Sequence, residues 1–315
     1  MSKPTLSVIM PNYNHAHYIR EALEAILSQS YRPLEVIVVD DASTDNSVEI
    51  IEQFVKRGPI VRLIKNEKNM GAVHTAQKLL NFARGGYIYG ASADDKILPG
   101  FFEKSMNLLS QYPQAGLCCS DPVFFDDKTG VISENRFRVS STPCFFSPDA
   151  IVKLIKKTPF WIAGHTSIIK RTSFLETGGL IPELKWHCDW FAILVIAFRY
   201  GICYIPEPLA SLRVHPNSYS KVRDWPFQRE VLTHLITLLK SPAYRDVLPY
   251  FQRSGVMSHF GDDVVRVVKG NPKHWDIQTI MLIRKPLWNE VIRAMNTITH
   301  SPVKRLYRSI RARKI

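Results

Sequence analysis

Between residues 6 and 90 the chain alternates four short apolar runs with three stretches of helical periodicity. The first run, residues 6–10, ends at Pro11 and Asn12, a turn signal. Ile19, Ala22, Leu23, Ile26 and Leu27 then recur at helical spacing. Residues 34–39 are largely β-branched and nearly unbroken, as in a strand covered on both faces, and they stop at Asp40-Asp41-Ala42-Ser43. Val48, Ile51 and Val55 mark a second helix, with Ser43 or Asp45 as candidate cap. Residues 61–64 read as a third strand, 76–83 as a third helix and 87–90 as a fourth strand running into Ser92-Ala93-Asp94-Asp95. This alternation predicts an α/β fold, a mainly parallel, Rossmann-like sheet flanked by helices. Ligands of such sheets bind beyond the carboxyl ends of the strands. Tyr13/Asn14, Asp40/Asp41 and Asp94/Asp95 all fall there.

The later chain is less regular. Short strands are predicted at 116–119, 167–170 and 202–205, and a helix at 189–199. From Pro226 the pattern turns helical, with Val231, Leu235 and Leu238 on one spacing and Val291, Met295 and Ile298 on another. Residues 225–315 hold 16 Lys/Arg against 6 Asp/Glu, so +10 of the chain's net +13 lies there. The asymmetry predicts two domains, 1–224 and a basic helical region at 225–315.

The longest apolar run, residues 190–198, is half of the roughly 18 residues that a membrane span requires. Residues 6–10 are too short for a signal-peptide core and no small-residue cleavage site follows, so a cytoplasmic location is expected. The five cysteines, Cys118, Cys119, Cys144, Cys188 and Cys203, are odd in number and lack C-x-x-C spacing. That argues against a disulfide framework and against a zinc site.

Asp94-Asp95 is the sharpest chemical feature. Adjacent carboxylates repel unless positive charge lies close, and a hard divalent cation shared with substrate phosphates supplies it. Two solvated aspartates in a turn are the ordinary alternative, and Asp40-Asp41 also suits a helix start. Two such pairs at the strand ends of one sheet would face one crevice. A polyanionic ligand would be repelled there without a cation.

Six stretches carry a family resemblance: SVIMPNYNHAHYIREALEAILSQSY, LEVIVVDDASTDNS, KNMGAVHTAQKLLNFARGGYI, SADDKILPGFF, GGLIPELKWHCDWFAILVIAFRYG and PLASLRVHPNSYS. In this order and spacing the chain resembles family 2 glycosyltransferases of the GT-A fold. The resemblance implies a nucleotide-sugar donor, UDP-linked on family grounds, and Mn²⁺ or Mg²⁺ as cofactor. It implies that Pro11 and Tyr13 line the nucleobase pocket and that Asp41 bonds the base, with Asn14 and Asn69 in the same donor set. It implies that Asp94 sits near ribose and metal, that Asp95 holds the metal, and that Arg213 and His215 close over the diphosphate. Asp189 matches the general base of an inverting transfer to a hydroxyl of a glycan or lipid-linked acceptor. An N-cap is the alternative role for Asp189. Ser92 stands where the family often has a further aspartate. His165 and His187 are acceptor-side candidates against ordinary core or loop roles. Trp161, Trp186 and Trp190 fall in the same half of the chain, where core packing is the competing explanation.

Two other functions compete. A nucleotidyltransferase needs a basic Gly-rich loop after the first strand, where this chain has Pro-Asn-Tyr-Asn. A catalytically inactive sugar-nucleotide-binding or scaffold protein has no need of Asp41, Asp94, Asp95 and Asp189 together. Near the end, Val303, Leu306, Tyr307 and Ile310 share a helical face that Lys304, Arg305, Arg308 and Arg311 mostly avoid. This pattern suits an anionic membrane surface and predicts peripheral attachment at the inner face. No recognisable nucleic-acid module accompanies the charge, so no nucleic-acid partner is expected.

Overall fold

The structure, a computed structural model, describes residues 4–134, 136–214 and 224–283. The chain forms two compact units, Met1–Lys221 and Val222–Ile315. His215, Val291, Met295, Ile298 and the basic stretch 301–315 lie outside the described residues.

The first unit opens with β1 (Leu6–Asn12), α1 (Ile19–Leu27), β2 (Glu35–Asp40), α2 (Ser47–Val55), β3 (Val61–Lys65), α3 (Ala72–Phe82) and β4 (Tyr87–Gly90). β2 is buried at every position, which explains its unbroken apolar character. Next come β5 (Lys96–Ile97), α4 (Phe101–Gln111), β6 (Leu117–Asp126), β7 (Ile132–Glu134), β8 (Cys144–Phe146), α5 (Pro148–Lys157), β9 (Ile168–Lys170), α6 (Arg171–Glu176), α7 (Cys188–Tyr200) and β10 (Ile202–Val214). These strands form one sheet in the order β3-β2-β1-β4-β9-β6-β10-β5, with β7 added on β6 and β8 on β10.

The half built by residues 6–90 is parallel, with β1 between β2 and β4 and β2 beside β3. The other half is mixed. β9 runs antiparallel between β4 and β6, while β6 and β10 are parallel. β10 is far longer than the strand predicted at 202–205, because it continues through Pro206 and Pro208. Its register with β6 shifts around Pro208, as expected where proline removes ladder donors. Gly116 lets α7 lie close on the start of β6, since a Cβ there would stand 2.3 Å from Ile196 Cγ2.

The second unit begins with α8 (Trp225–Lys240), whose N-cap Asp224 accepts a bond from the Phe227 amide. α9 (Leu248–Ser254), α10 (Gly261–Gly270) and α11 (Ile277–Met281) follow. Val231, Leu235 and Leu239 of α8 and Val264 and Val268 of α10 are buried. No helix among the described residues is long and apolar enough to cross a membrane.

Glu35 is a buried charge at the start of β2. It accepts from Ser7 Oγ and the Arg84 amide, both at 2.8 Å, and pairs with the guanidinium groups of Arg84 at 3.1 Å and Arg62 at 3.3 Å. Burial alone would raise its pKa, but the Arg84 amide, Ser7 and the Arg84 charge hold it below the ordinary value of 4.5. A depressed carboxylate contributes stability above its unfolded pKa and loses it as pH falls through the folded one. Glu35→Ala is therefore expected to cost roughly 2–4 kcal/mol at neutral pH by stranding buried donors. The deficit should shrink below about pH 4.5, which urea denaturation across pH checks directly.

Candidate active site

The ends of β1 and β2 are tied together by side chains. Asn12 Nδ2 donates to Asp40 Oδ1 at 2.7 Å, and Asp40 also accepts from Ser43 N and Ser43 Oγ at 2.9 and 2.6 Å. Asn14 receives the next turn: its Oδ1 accepts from the Thr44 amide at 2.7 Å, while its own amide donates to Ser43 Oγ at 2.9 Å. Asn14 and Ala42 have φ of 56° and 62°, so both flanking loops carry left-handed backbone at non-glycine residues. Such positions cost on the order of 1 kcal/mol or more and gather at ligand clamps and active sites. The neighbouring Tyr13 is 43% exposed at the carboxyl end of β1, next to half-buried Pro11.

Asp40 and Asp41 divide their work. Asp41 turns to the loop before α3, where Oδ1 accepts from Asn66 Nδ2 and the Met70 amide at 2.8 and 2.9 Å and Oδ2 from the Gly71 amide at 2.8 Å. Burial would raise its pKa, yet the Met70, Asn66 and Gly71 donors hold it low, so this carboxylate is firmly ionised. Asn69 Oδ1 accepts from the same Gly71 amide at 2.9 Å. Asp41 and Asn69 thus share one loop, which a sequence pattern cannot reveal.

Asp94 and Asp95 follow β4 in a half-buried turn. Burial, then the adjacent Asp94 charge, push the Asp95 pKa well above the usual carboxylate range, against the Arg213 amide and Ser92, which pull it down. Arg213, near the end of β10, engages this turn with its whole length. Its amide donates to Asp95 Oδ1 at 2.8 Å and its Nε to the Asp94 carbonyl at 2.9 Å. Its terminal nitrogens reach Asp127 Oδ1 at 2.6 Å and Glu21 Oε2 at 2.7 Å. Lys96 also pairs with Glu21, at 2.8 Å. The Arg213 side chain is only 11% exposed. The partners lie too far away in sequence to be read from the RVH motif.

Among the described residues of this network, Lys96 and Arg213 engage the carboxylates of Glu21, Asp95 and Asp127, and Asp94 adds its charge beside Asp95. The residues therefore fit a divalent cation: hard oxygen donors with net negative charge, and a carboxylate with about four acceptor sites of which Arg213 and Ser92 use part. The described residues hold no cluster of three or more His, Cys, Asp or Glu placed to bind a metal. The fit is to the kind of site in which one or two carboxylates share the ion with substrate phosphates.

Asp189 is the second residue of α7; the N-cap is His187, with no capping bond from its side chain. Asp189 is exposed to solvent. Yet its Oδ1 accepts from the Trp190 amide at 2.7 Å, and its Oδ2 lies so close to Gly164 that a Cβ there would stand 2.5 Å away. Although the residue as a whole is exposed, its carboxylate is packed closely on this side, and the loss of hydration there raises its pKa despite the Trp190 bond. Lys185, shortly before it, has φ of 51°. His165, next to Gly164, is buried and neutral, its pKa lowered to about 4 by burial. His165 and the 41% exposed Trp161 both pack against Phe124, at ring distances of 6.2 and 6.3 Å. Trp186 stacks on His187 at 3.6 Å. Gly164 carries no signal in the sequence, since its importance lies in a contact across 25 residues.

A family model described as Glycosyl transferase family 2 matches residues 7–178. Asp189 and Arg213 lie beyond that span. An uncharacterized glycosyltransferase of Methanocaldococcus jannaschii is 32% identical over 223 residues, covering 69% of this chain and 73% of its own. Among solved structures, S. aureus TarS 1–349 in complex with UDP-GlcNAc has a TM-score of 0.68 at 14% identity, covering 93% of this chain and 87% of that one. The mannosyltransferase PcManGT from Pyrobaculum calidifontis, in complex with GDP-Man and Mn²⁺, has a TM-score of 0.54 at 18% identity, covering 99% and 81%. At these identities the structural likeness is one of fold, the GT-A fold that the ordered motifs predict. The chain belongs to glycosyl transferase family 2 and is a glycosyltransferase.

Proposed function

We propose that the protein transfers a sugar from a nucleotide-diphosphate sugar, UDP-linked, to a hydroxyl of a glycan or lipid-linked acceptor with inversion at the anomeric carbon. The observation that carries this reading is Asp189 at the start of α7, with Oδ1 bonded to the Trp190 amide, Oδ2 packed against Gly164 and its pKa raised by its dense surroundings. A general base works best when its pKa approaches the working pH. In this reading Asp189 takes the acceptor proton as the hydroxyl attacks, and the Trp190 amide and Gly164 fix where its oxygens point. Pro11 and Tyr13 flank the base, and Asp41 and Asn69 hold the loop at residues 66–71 beside it. Asp94 and Asp95 would hold Mn²⁺ or Mg²⁺, with His215 as a further donor-side contact. When bound, that cation supplies Lewis-acid stabilisation to the departing diphosphate. The donors named with the two solved neighbours, UDP-GlcNAc and GDP-Man, and the Mn²⁺ of one of them, support this class of substrate and cofactor.

Asp189→Asn is expected to lower turnover by about 10²–10⁴-fold while leaving donor affinity nearly intact. In the unaltered enzyme kcat should fall as pH drops through a pKa above the ordinary 3.8, because only the ionised base works. Nucleotide-sugar consumption with added Mn²⁺, followed across pH, checks both; substantial turnover by the variant removes Asp189 from the mechanism.

Gly164→Ala forces the Asp189 carboxylate off its present line, since the new Cβ would meet Oδ2 at 2.5 Å. A kcat loss of about 10²-fold with little change in donor KM is expected, the cost of roughly an ångström of misplacement. An unchanged kcat contradicts this placement of the base.

The basic stretch 301–315 is proposed to hold the enzyme at an anionic membrane, where each Lys or Arg near the surface contributes about 1 kcal/mol. Deleting residues 301–315 should abolish co-sedimentation with phosphatidylserine-rich vesicles. Unchanged co-sedimentation refutes the attachment.

A further inference from the structure

Asp127 belongs to no motif. It lies just past the end of β6, and its amide donates to the Val214 carbonyl at 3.2 Å, so it is fastened to the end of β10 by its backbone. Both of its carboxylate oxygens are engaged. Oδ1 accepts from Arg213 at 2.6 Å, and Oδ2 accepts from the Tyr18 hydroxyl at 2.9 Å. The Tyr18 ring also lies under the Arg213 guanidinium, 4.6 Å from its centroid, and Phe125 lies 5.1 Å away on the same group. Arg213 is thereby fixed by a carboxylate and by aromatic rings, while its amide and Nε hold the Asp94–Asp95 turn.

We infer that Asp127 and Tyr18 are positioning residues of the cation site, acting through Arg213 to hold Asp95 in the orientation that a divalent cation needs. This rests on the reading of Asp94 and Asp95 as the cation carboxylates. The physical case has three parts. First, an exposed ion pair contributes little, but the Arg213 side chain is 11% exposed and its planar fork is bound at every nitrogen. A guanidinium held this way has one orientation rather than many. Second, the bond to Asp95 comes from the Arg213 backbone, so anything that shifts the β10 end shifts the donor on Asp95. Asp127 grips that end twice, once at Val214 and once at the guanidinium. Third, partners that orient a metal-binding carboxylate without touching the ion tune its affinity, and losing one typically costs about 10–100-fold. Tyr18 extends the same chain of contacts to the start of α1, which also supplies Glu21 to Arg213.

The test titrates Mn²⁺ into the full-length protein at saturating UDP and reads free Mn²⁺ by electron paramagnetic resonance. Asp127→Ala is expected to raise the Mn²⁺ dissociation constant by about 10–100-fold, and Tyr18→Phe by a smaller factor in the same direction. UDP affinity measured without metal should not change, because neither side chain reaches the loop that Asp41 holds. Asp95→Asn serves as the reference. If it abolishes Mn²⁺ binding while Asp127→Ala stays within about twofold of the unaltered protein, the positioning role is overturned and the cation reading stands. If Asp95→Asn binds Mn²⁺ as the unaltered protein does, the cation reading itself fails and the inference fails with it. Should Asp127→Ala not fold, Tyr18→Phe, which removes a single hydroxyl, decides the matter by the same criterion.

Discussion

Keeping Asp94 and Asp95 side by side at the end of β4 is the constraint on which the working end of the sheet depends. The Asp94 charge repels the ionised form of Asp95 and raises its pKa. The fold answers part of this with the Arg213 amide on Asp95 and part by raising the Asp95 pKa. Arg213 and Lys96 are at the same time paired with Glu21 and Asp127, so their charge is shared among several carboxylates. In the proposed reading, a divalent cation arriving with a phosphate-bearing ligand would relieve this repulsion. An acidic turn of this kind excludes bare anions and admits them with their counterion.

Around that turn the strand ends are made stiff rather than mobile. Asn12, Asp40, Ser43 and Asn14 close a ring of hydrogen bonds between β1 and β2, and two non-glycine residues in left-handed backbone are held there. Opposite in chemistry is the surround of Asp189, which is crowded by Gly164 and little bonded. A carboxylate bonded by three donors, such as Asp41, is held ionised and makes a good anchor but a poor base. A carboxylate whose ionised form is penalised, such as Asp189, is the better proton acceptor. In the proposed reading the two aspartates are thus set for different work by their surroundings.

The parallel half of the fold was legible because its signals are local. The run at 34–39 is apolar since β2 is covered on both faces, and the helical spacing of α1 faces the core through Ile19 and Leu23, whereas of the α2 spacing only Ile51 is buried, with Phe54 packed inward and Val55 exposed. In the mixed half the runs at 116–119, 167–170 and 202–205 marked β6, β9 and the start of β10, but the length of β10 was hidden because it runs through two prolines that end a strand in any local reading. The strand-end positions of Tyr13, Asp41 and Asp95 were visible as turn residues after apolar runs. The engagement of Arg213 was hidden, since Glu21 and Asp127 lie 192 and 86 residues away from it in the chain. Gly164 and Ala42 were hidden for another reason: a small residue shows neither the contact it permits nor the backbone it adopts.

The most direct measurement is an anomalous-scattering map from crystals grown with UDP and Mn²⁺. A cation-completed acidic turn requires a manganese peak on the Asp95 carboxylate, at the roughly 2.0–2.2 Å typical of such oxygen ligands and shared with the UDP phosphates. UDP bound at the ends of β1 and β4 with no manganese at Asp95, or manganese held elsewhere, would contradict it.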